Sequence, residues 1–252
     1  MTSPFDDLPE VRGSKLPFEP YPGATGVIGQ VFGSTDTTYK FFWFLAVLEQ
    51  TKDAEPRSDL SLELNQLTCE MVAQAWPCRC LFKLWFGHQD RLQTLIDRLA
   101  ERSNLLDNAR ADEVRIASTL LSDDEVVILE DYVPYRFLVP WFRSALVGVK
   151  DHARHGLIQL LAERSARSAR PAPYHFNKVI GRPESIYIKS NWLTFFQPNY
   201  FPLKAFAQLS LAKYFEARNP GIPGIINKLE RPGVRKLERA REFWDIIILW
   251  MY

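Results

Sequence analysis

The sequence is short of cysteine, of net charge and of long apolar runs, and each shortage removes a class of protein. Among 252 residues there are three cysteines, Cys69, Cys78 and Cys80. An odd number confined to one short stretch is not the framework of a disulfide-stapled secreted domain. A zinc site would need a second Cys pair or a His pair, and neither accompanies Cys78 and Cys80. The three thiols are therefore expected to be buried. The longest apolar runs, Phe41 to Leu48 and Ile246 to Tyr252, fall far below the roughly 18–20 residues that a membrane-spanning helix requires. The first fifteen residues lack a basic start followed by an apolar stretch, so no secretory leader is expected, and the expected compartment is the cytoplasm. Gly (12) and Pro (17) are too few for a collagenous or low-complexity chain. Aromatics at 13% are too many for a disordered one. Lys and Arg (31) balance Asp and Glu (30) to a net charge of +1, so nucleic-acid binding can be argued only from local patches.

Catalytic signatures are missing as well. Gly23 to Gly29 has no GK[ST] and no GxGxxG, so it is neither a phosphate loop nor a dinucleotide fingerprint. No GxSxG elbow occurs. His152 and His155 are three residues apart beside Asp151, but no second cluster of ligands accompanies them, so no metal or cofactor site is expected. His88-Gln89-Asp90 follows Gly87; Gln89 or Asp90 is expected to cap the next helix, with His88 in the turn.

What remains is helical periodicity. The chain is expected to be mainly α, a multi-helix fold with one or two short strands. Residues 1–33, rich in Pro and Gly, read as an irregular arm. Ser34 to Thr38 supply cap residues for a helix from Tyr39 to Glu49, whose lack of a polar face makes it central. Leu60 to Trp76 repeats apolar residues at helical spacing until Pro77. Arg91 to Ser103 is amphipathic, and Arg110 to Leu121 is a further helix. Val126 to Leu129 reads as a short strand, with a buried helical turn as the other reading. Val133 to Phe142, with Pro134 and Pro140, reads as a mostly irregular connector. Lys150 to Arg170 reads as a basic helix running into a linker. Ser185 to Lys189 alternates as an exposed strand. Phe201 to Arg218 is an apolar helix ended by Asn219-Pro220-Gly221, and a last helix runs from about Val234. These readings divide the chain into the arm, a helical lobe over 34–149, the basic segment over 150–184 and a second lobe over 185–252.

Positive charge gathers near the end. Between Arg218 and Arg241 stand seven basic side chains against two acidic ones. Lys228, Arg231, Arg235, Lys236, Arg239 and Arg241 are the candidate nucleic-acid contacts, acting on phosphates rather than bases. The competing reading is a solvated helix face with internal ion pairs. Arg164, Arg167 and Arg170 form a second run, which reads more readily as exposed surface.

Several stretches together resemble the bacterial HNH endonuclease-domain proteins that carry a long helical N-terminal region. They are Ser34 to Leu45, Met71 to Trp76, Phe86 to Gln93, Val133 to Phe142 and Arg218 to Pro223, followed by Lys228-Leu229 and Arg241 to Asp245. In that family a ββα-metal unit follows the Phe-Trp-Asp helix, with an Asp-His pair, an Asn and a final His or Asn. The sequence reaches Tyr252 with no such unit, so no catalytic residue is carried over, and a divalent metal would enter only with an HNH unit supplied elsewhere. The resemblance implies a non-catalytic, DNA-engaging region in a bacterial DNA-handling or defence setting. The rival reading is a protein-interaction subunit, docking an effector or itself through an aromatic surface and the apolar stretch Ile246 to Tyr252 of the C-terminal helix. A third, an enzyme in its own right, would need a polar pocket around His88 or His152.

Overall fold

A computed structural model describes residues 19–33 and 36–230. The expected helix from Val234, with Arg235, Lys236, Arg239, Arg241 and the apolar stretch 246–252, lies outside the described residues, as does Arg231.

The organising element is α2 (Tyr39–Thr51), in which every residue from Phe41 to Leu48 is buried. A helix apolar on all sides has to be enclosed on all sides, and α2 packs against α3 (Leu64–Trp76), α7 (Val133–Leu138), α9 (Ser190–Phe196) and α10 (Tyr200–Arg218). A polar tie in its interior is the Trp43 indole, which donates to the Tyr174 hydroxyl at 3.1 Å; that hydroxyl in turn donates to the Pro134 carbonyl at 2.6 Å. This chain satisfies the polar ends of two large aromatics where water cannot reach them.

Around α2 the remaining elements are α1 (Ala24–Val31), α4 (Arg91–Arg102), α5 (Ala111–Ser118), α6 (Asp123–Glu130), α8 (Asp151–Ser165) and α11 (Ile225–Glu230). Three strands, one more than the one or two expected, form a small antiparallel sheet: β1 (Leu60–Glu63), β2 (Tyr174–Phe176) and β3 (Ser185–Ile188), in the order β1-β3-β2. Ile188 lies opposite both Leu60 and Tyr174. The sheet thus joins stretches drawn from 34–149, 150–184 and 185–252, and one continuous apolar core runs from α1 to α11.

Five local expectations are corrected, each for a physical reason. The N-terminal arm contains α1, whose Ala24, Ile28 and Val31 are buried at helical spacing between the glycines. Its first turn is satisfied by Glu19, which accepts from the amides of Gly23 at 3.3 Å and Thr25 at 3.2 Å. Leu60 to Glu63 is strand, because Leu60, Leu62 and Leu64 also fit a period of two and β3 supplies a ladder. Val126 to Leu129 is helical: Glu125 accepts from the Ser122 amide at 3.1 Å and hydroxyl at 3.0 Å, the S-x-x-E signature of a helix start. Val133 to Phe142 is not irregular. Pro134 opens α7 and Pro140 opens a 3-10 segment over Val139–Leu146, positions where a helix needs no amide donor. Finally, β3 is the central strand, with Ile186 and Ile188 fully buried rather than exposed. All three cysteines are free and buried, and burial holds each thiol above its ordinary pKa. Among the described residues no helix is long and apolar enough to cross a membrane.

Candidate functional site

The site begins with a carboxylate that joins two helix starts. Asp90 precedes α4 and is 3% exposed. One of its oxygens accepts from the Leu92 and Gln93 amides at 3.1 and 3.3 Å, capping α4. The other accepts from the amide and hydroxyl of Thr38, at 2.7 and 2.8 Å, at the head of α2. Burial pushes the Asp90 carboxyl up to about 6, against the pull of these four donors. Tyr39 adds a second tie: its hydroxyl donates to the Gln89 carbonyl at 3.0 Å and accepts from the Arg91 amide. Two helix N-termini, with Lys40 one residue into α2 and Arg91 at the first residue of α4, are therefore locked side by side.

Across from them lies the corner between α6 and α7 and the start of the 3-10 segment, which contribute Ile128, Tyr132, Val133, Arg136, Val139, Pro140 and Arg143. The space between is a cleft of about 570 Å³, completed by Gln30, Asp36, Thr37 and Gln89. Four of its lining side chains are cationic, Lys40, Arg91, Arg136 and Arg143, and one, Asp36, is anionic. The Lys40 ammonium is held below the ordinary lysine value, first by burial and then by the Arg136 and Arg143 guanidiniums, with Asp36 opposing. The like charges thus converge closely enough to feel one another. Among the described residues no carboxylate forms an ion pair with Arg91, Arg136 or Arg143. A concave surface with apolar walls and clustered guanidiniums is suited to an anion carrying an apolar or aromatic body.

The residues singled out in the sequence are placed differently. Lys228, on α11, is the described member of the C-terminal basic set. Its ammonium donates to the Pro223 carbonyl at 2.8 Å and lies 5.7 Å from the Phe82 ring centre, and it does not line the cleft. Arg164, Arg167 and Arg170 are exposed at the end of α8 and beyond it, with Arg167 paired to Glu163 at 3.1 Å. His88 is exposed and stands edge-on to Trp85. His152 is exposed, whereas His155 stacks on Tyr135 at 4.5 Å, and burial lowers its pKa. Among the described residues no three His, Cys, Asp or Glu side chains gather as metal ligands would. The tryptophan surface also changes character: Trp43, Trp76 and Trp192 are fully buried, Trp141 donates to the Tyr21 hydroxyl at 2.9 Å, and only Trp85 of the described indoles is exposed, at 37%.

The cleft residues escaped the sequence reading because Lys40, Arg91, Arg136 and Arg143 are isolated cations separated by up to a hundred positions. The one available signal was Tyr135-Arg136-Phe137, a lone cation inside an apolar aromatic run. No family model, curated protein or solved structure matches the chain, and the cleft is read from its own chemistry.

Proposed function

We propose that this protein binds nucleic acid through phosphate contacts, in a binding rather than catalytic role, with the cleft as the seat of the interaction. The observation that carries the reading is the set of three guanidiniums, Arg91, Arg136 and Arg143, which line one concavity and form no ion pair among the described residues, with Lys40 beside them. Arginine binds phosphate in a bidentate fork, and its charge persists at any cellular pH. The basic set Lys228, Arg231, Arg235, Lys236, Arg239 and Arg241 belongs to the same proposal as a second, auxiliary contact. The cytoplasm is the proposed compartment. The resemblance to HNH endonuclease-type proteins suggests a bacterial DNA-handling or defence setting.

The test is fluorescence anisotropy with labelled 20-nucleotide DNA between 50 and 300 mM salt, on the wild type and on Arg136→Ala/Arg143→Ala. Micromolar or tighter binding is expected in the wild type, falling steeply with salt. The double variant should bind at least tenfold more weakly with a log–log salt slope shallower by about 2. Binding absent at 50 mM salt, or a salt response that is flat, would overturn the proposal.

One observation favours a second reading, association with a protein partner or another copy. Phe201 and Leu209 are 79% and 48% exposed on α10, and the apolar stretch Ile246 to Tyr252 proposed for that role follows α11 in sequence. Sedimentation velocity across a hundredfold concentration range tests it, with a species heavier than 29.2 kDa as the expected result.

A further inference from the structure

The cleft's size and mixed lining narrow the ligand further. Its volume of about 570 Å³ lies within the range of roughly 300–1,000 Å³ typical of small-molecule pockets. A duplex, whose major groove alone is about 12 Å wide, does not enter such a space. The lining also mixes two kinds of surface. Lys40, Arg136 and Arg143 contribute cations, and Ile128, Tyr132 and Pro140, interspersed with the two arginines on one wall, contribute apolar surface. A duplex presents phosphates and sugars outward and keeps base faces stacked inside, so it has nothing to lay on that apolar surface. An unstacked nucleotide has both a phosphate and a bare aromatic face.

Tyr132 is equipped to receive that face. Its side chain lines the cleft and remains 47% exposed. The His155 ring meets it edge-on, with centroids 5.2 Å apart at 89°, and His155 is itself stacked on Tyr135. The tyrosine ring is therefore packed against a second ring that is itself stacked. Stacking on such a ring is tolerant of base identity, because every base has a π face. A smaller hollow of about 120 Å³ shares Arg91 and Ile128 with the cleft and is lined further by Arg98, Asp124 and Glu125. Arg91 and Arg98 are seven residues apart, two turns on one face of α4, but Arg98 lies 3.9 Å from Glu125, so Arg91 is the cation at this edge of the cleft.

Resting on the nucleic-acid reading above, we infer that the cleft seats one unstacked nucleotide of a single strand. Its base lies on Tyr132, its phosphate is held by Lys40, Arg136 and Arg143, and the strand leaves past Arg91. The same chemistry, a phosphate joined to an aromatic base, is carried by free mononucleotides, and the test separates the two sources.

The experiment measures binding of the full chain to labelled dT12, dA12 and a 12-base-pair duplex at 50 mM salt, with unlabelled dTMP and dAMP as competitors. Wild type, Tyr132→Ala and Tyr132→Phe are compared after thermal melts show that all three are folded. The inference expects dT12 and dA12 to bind within a few-fold of each other and at least tenfold more tightly than the duplex, and millimolar mononucleotide to compete poorly. Tyr132→Ala should weaken single-strand binding about tenfold or more, leave duplex binding unchanged, and be rescued by Tyr132→Phe. Equal binding of single strand and duplex, with Tyr132→Ala silent on both, would overturn this inference while leaving phosphate-directed binding intact. Tight binding of mononucleotides without oligonucleotide binding, or no binding of any probe, would overturn both.

Discussion

Two groups of arginines in this protein are treated in opposite ways. On the flanks, guanidiniums are matched to carboxylates. Arg79 grips Asp97 through two contacts at 2.6 and 2.9 Å; Arg115 reaches Glu70 at 2.5 Å and Asp112 at 2.5 Å; Arg182 reaches Glu130 at 2.7 Å and Asp131 at 3.2 Å. Around the cleft, Arg91, Arg136 and Arg143 share one lining with Lys40 and Asp36, and none of the three guanidiniums forms an ion pair among the described residues. The chain has 30 acids to distribute among 31 bases, so the cleft's imbalance is local and not a shortage. On the flanks the ion pairs hold elements together. At the cleft, guanidiniums gathered without ion pairs would favour a bound anion.

The largest effect should come from breaking a flank pair. Glu70 is 1% exposed on α3, and Arg115 is its guanidinium partner from α5. Arg115→Ala leaves a buried carboxylate with the Gln74 amide as its remaining contact, and should lower stability by about 3 kcal/mol. Urea denaturation followed by circular dichroism measures it; an unchanged midpoint would remove the first half of the comparison.

A smaller loss is expected at the hinge between the two regions. Asp90→Ala removes the cap of α4 and the acceptor for Thr38 at once, and should cost about 2 kcal/mol. Its pH dependence is distinctive. The Asp90 carboxyl holds its proton up to about 6 in the folded chain but only to about 3.9 when unfolded. Between those values the folded state binds more protons, so this group's contribution to stability falls as pH rises from about 4 to about 6. The gap between wild type and Asp90→Ala should therefore be widest near pH 4 and narrow towards pH 6. Urea midpoints measured at half-unit steps across that window check it, and a gap that widens with pH would reverse the assignment.

The fold was more legible than the site for a reason visible in particular residues. The all-apolar run from Phe41 to Leu48 marks a central helix whatever surrounds it, and Leu92, Leu95, Ile96 and Leu99 write the buried face of α4 at helical spacing. Asp90 was readable as a cap because capping is a contact between near neighbours in sequence. Its second role, holding Thr38 from 52 positions away, has no local signature. Errors came where two periods fit the same letters, as at Leu60, Leu62 and Leu64, or where a proline opens a helix and was read as breaking one, as at Pro134 and Pro140. The cleft is the extreme case. Lys40, Arg91, Arg136 and Arg143 each look like a single surface charge, and only the fold reveals that they line one cleft. Local density drew attention instead to Arg218 to Arg241, of which Lys228 is anchored to a carbonyl and an aromatic ring.

The smallest expected effect is the sharpest test of the comparison. Replacing an arginine in a structural ion pair strands its partner, but replacing Arg136 or Arg143 strands nothing, since no carboxylate among the described residues depends on either. Each substitution also removes a like charge that disfavours the protonated form of the half-buried Lys40. Arg136→Ala and Arg143→Ala should accordingly leave stability within about 0.5 kcal/mol of wild type, with any change towards greater stability at low salt, where repulsion is least screened. Arg136 carries the greater risk of a loss, because it is half-buried and its stem contributes packing that Arg143, exposed on the 3-10 segment, does not. Thermal melts in a phosphate-free buffer at 20 mM and 300 mM salt measure both. A loss above 1 kcal/mol for Arg143→Ala would mean that this guanidinium holds the fold as Arg115 does. A neutral result at 300 mM salt that turns stabilising at 20 mM would show that the cleft carries charge the fold does not use, leaving a ligand as the reason for it.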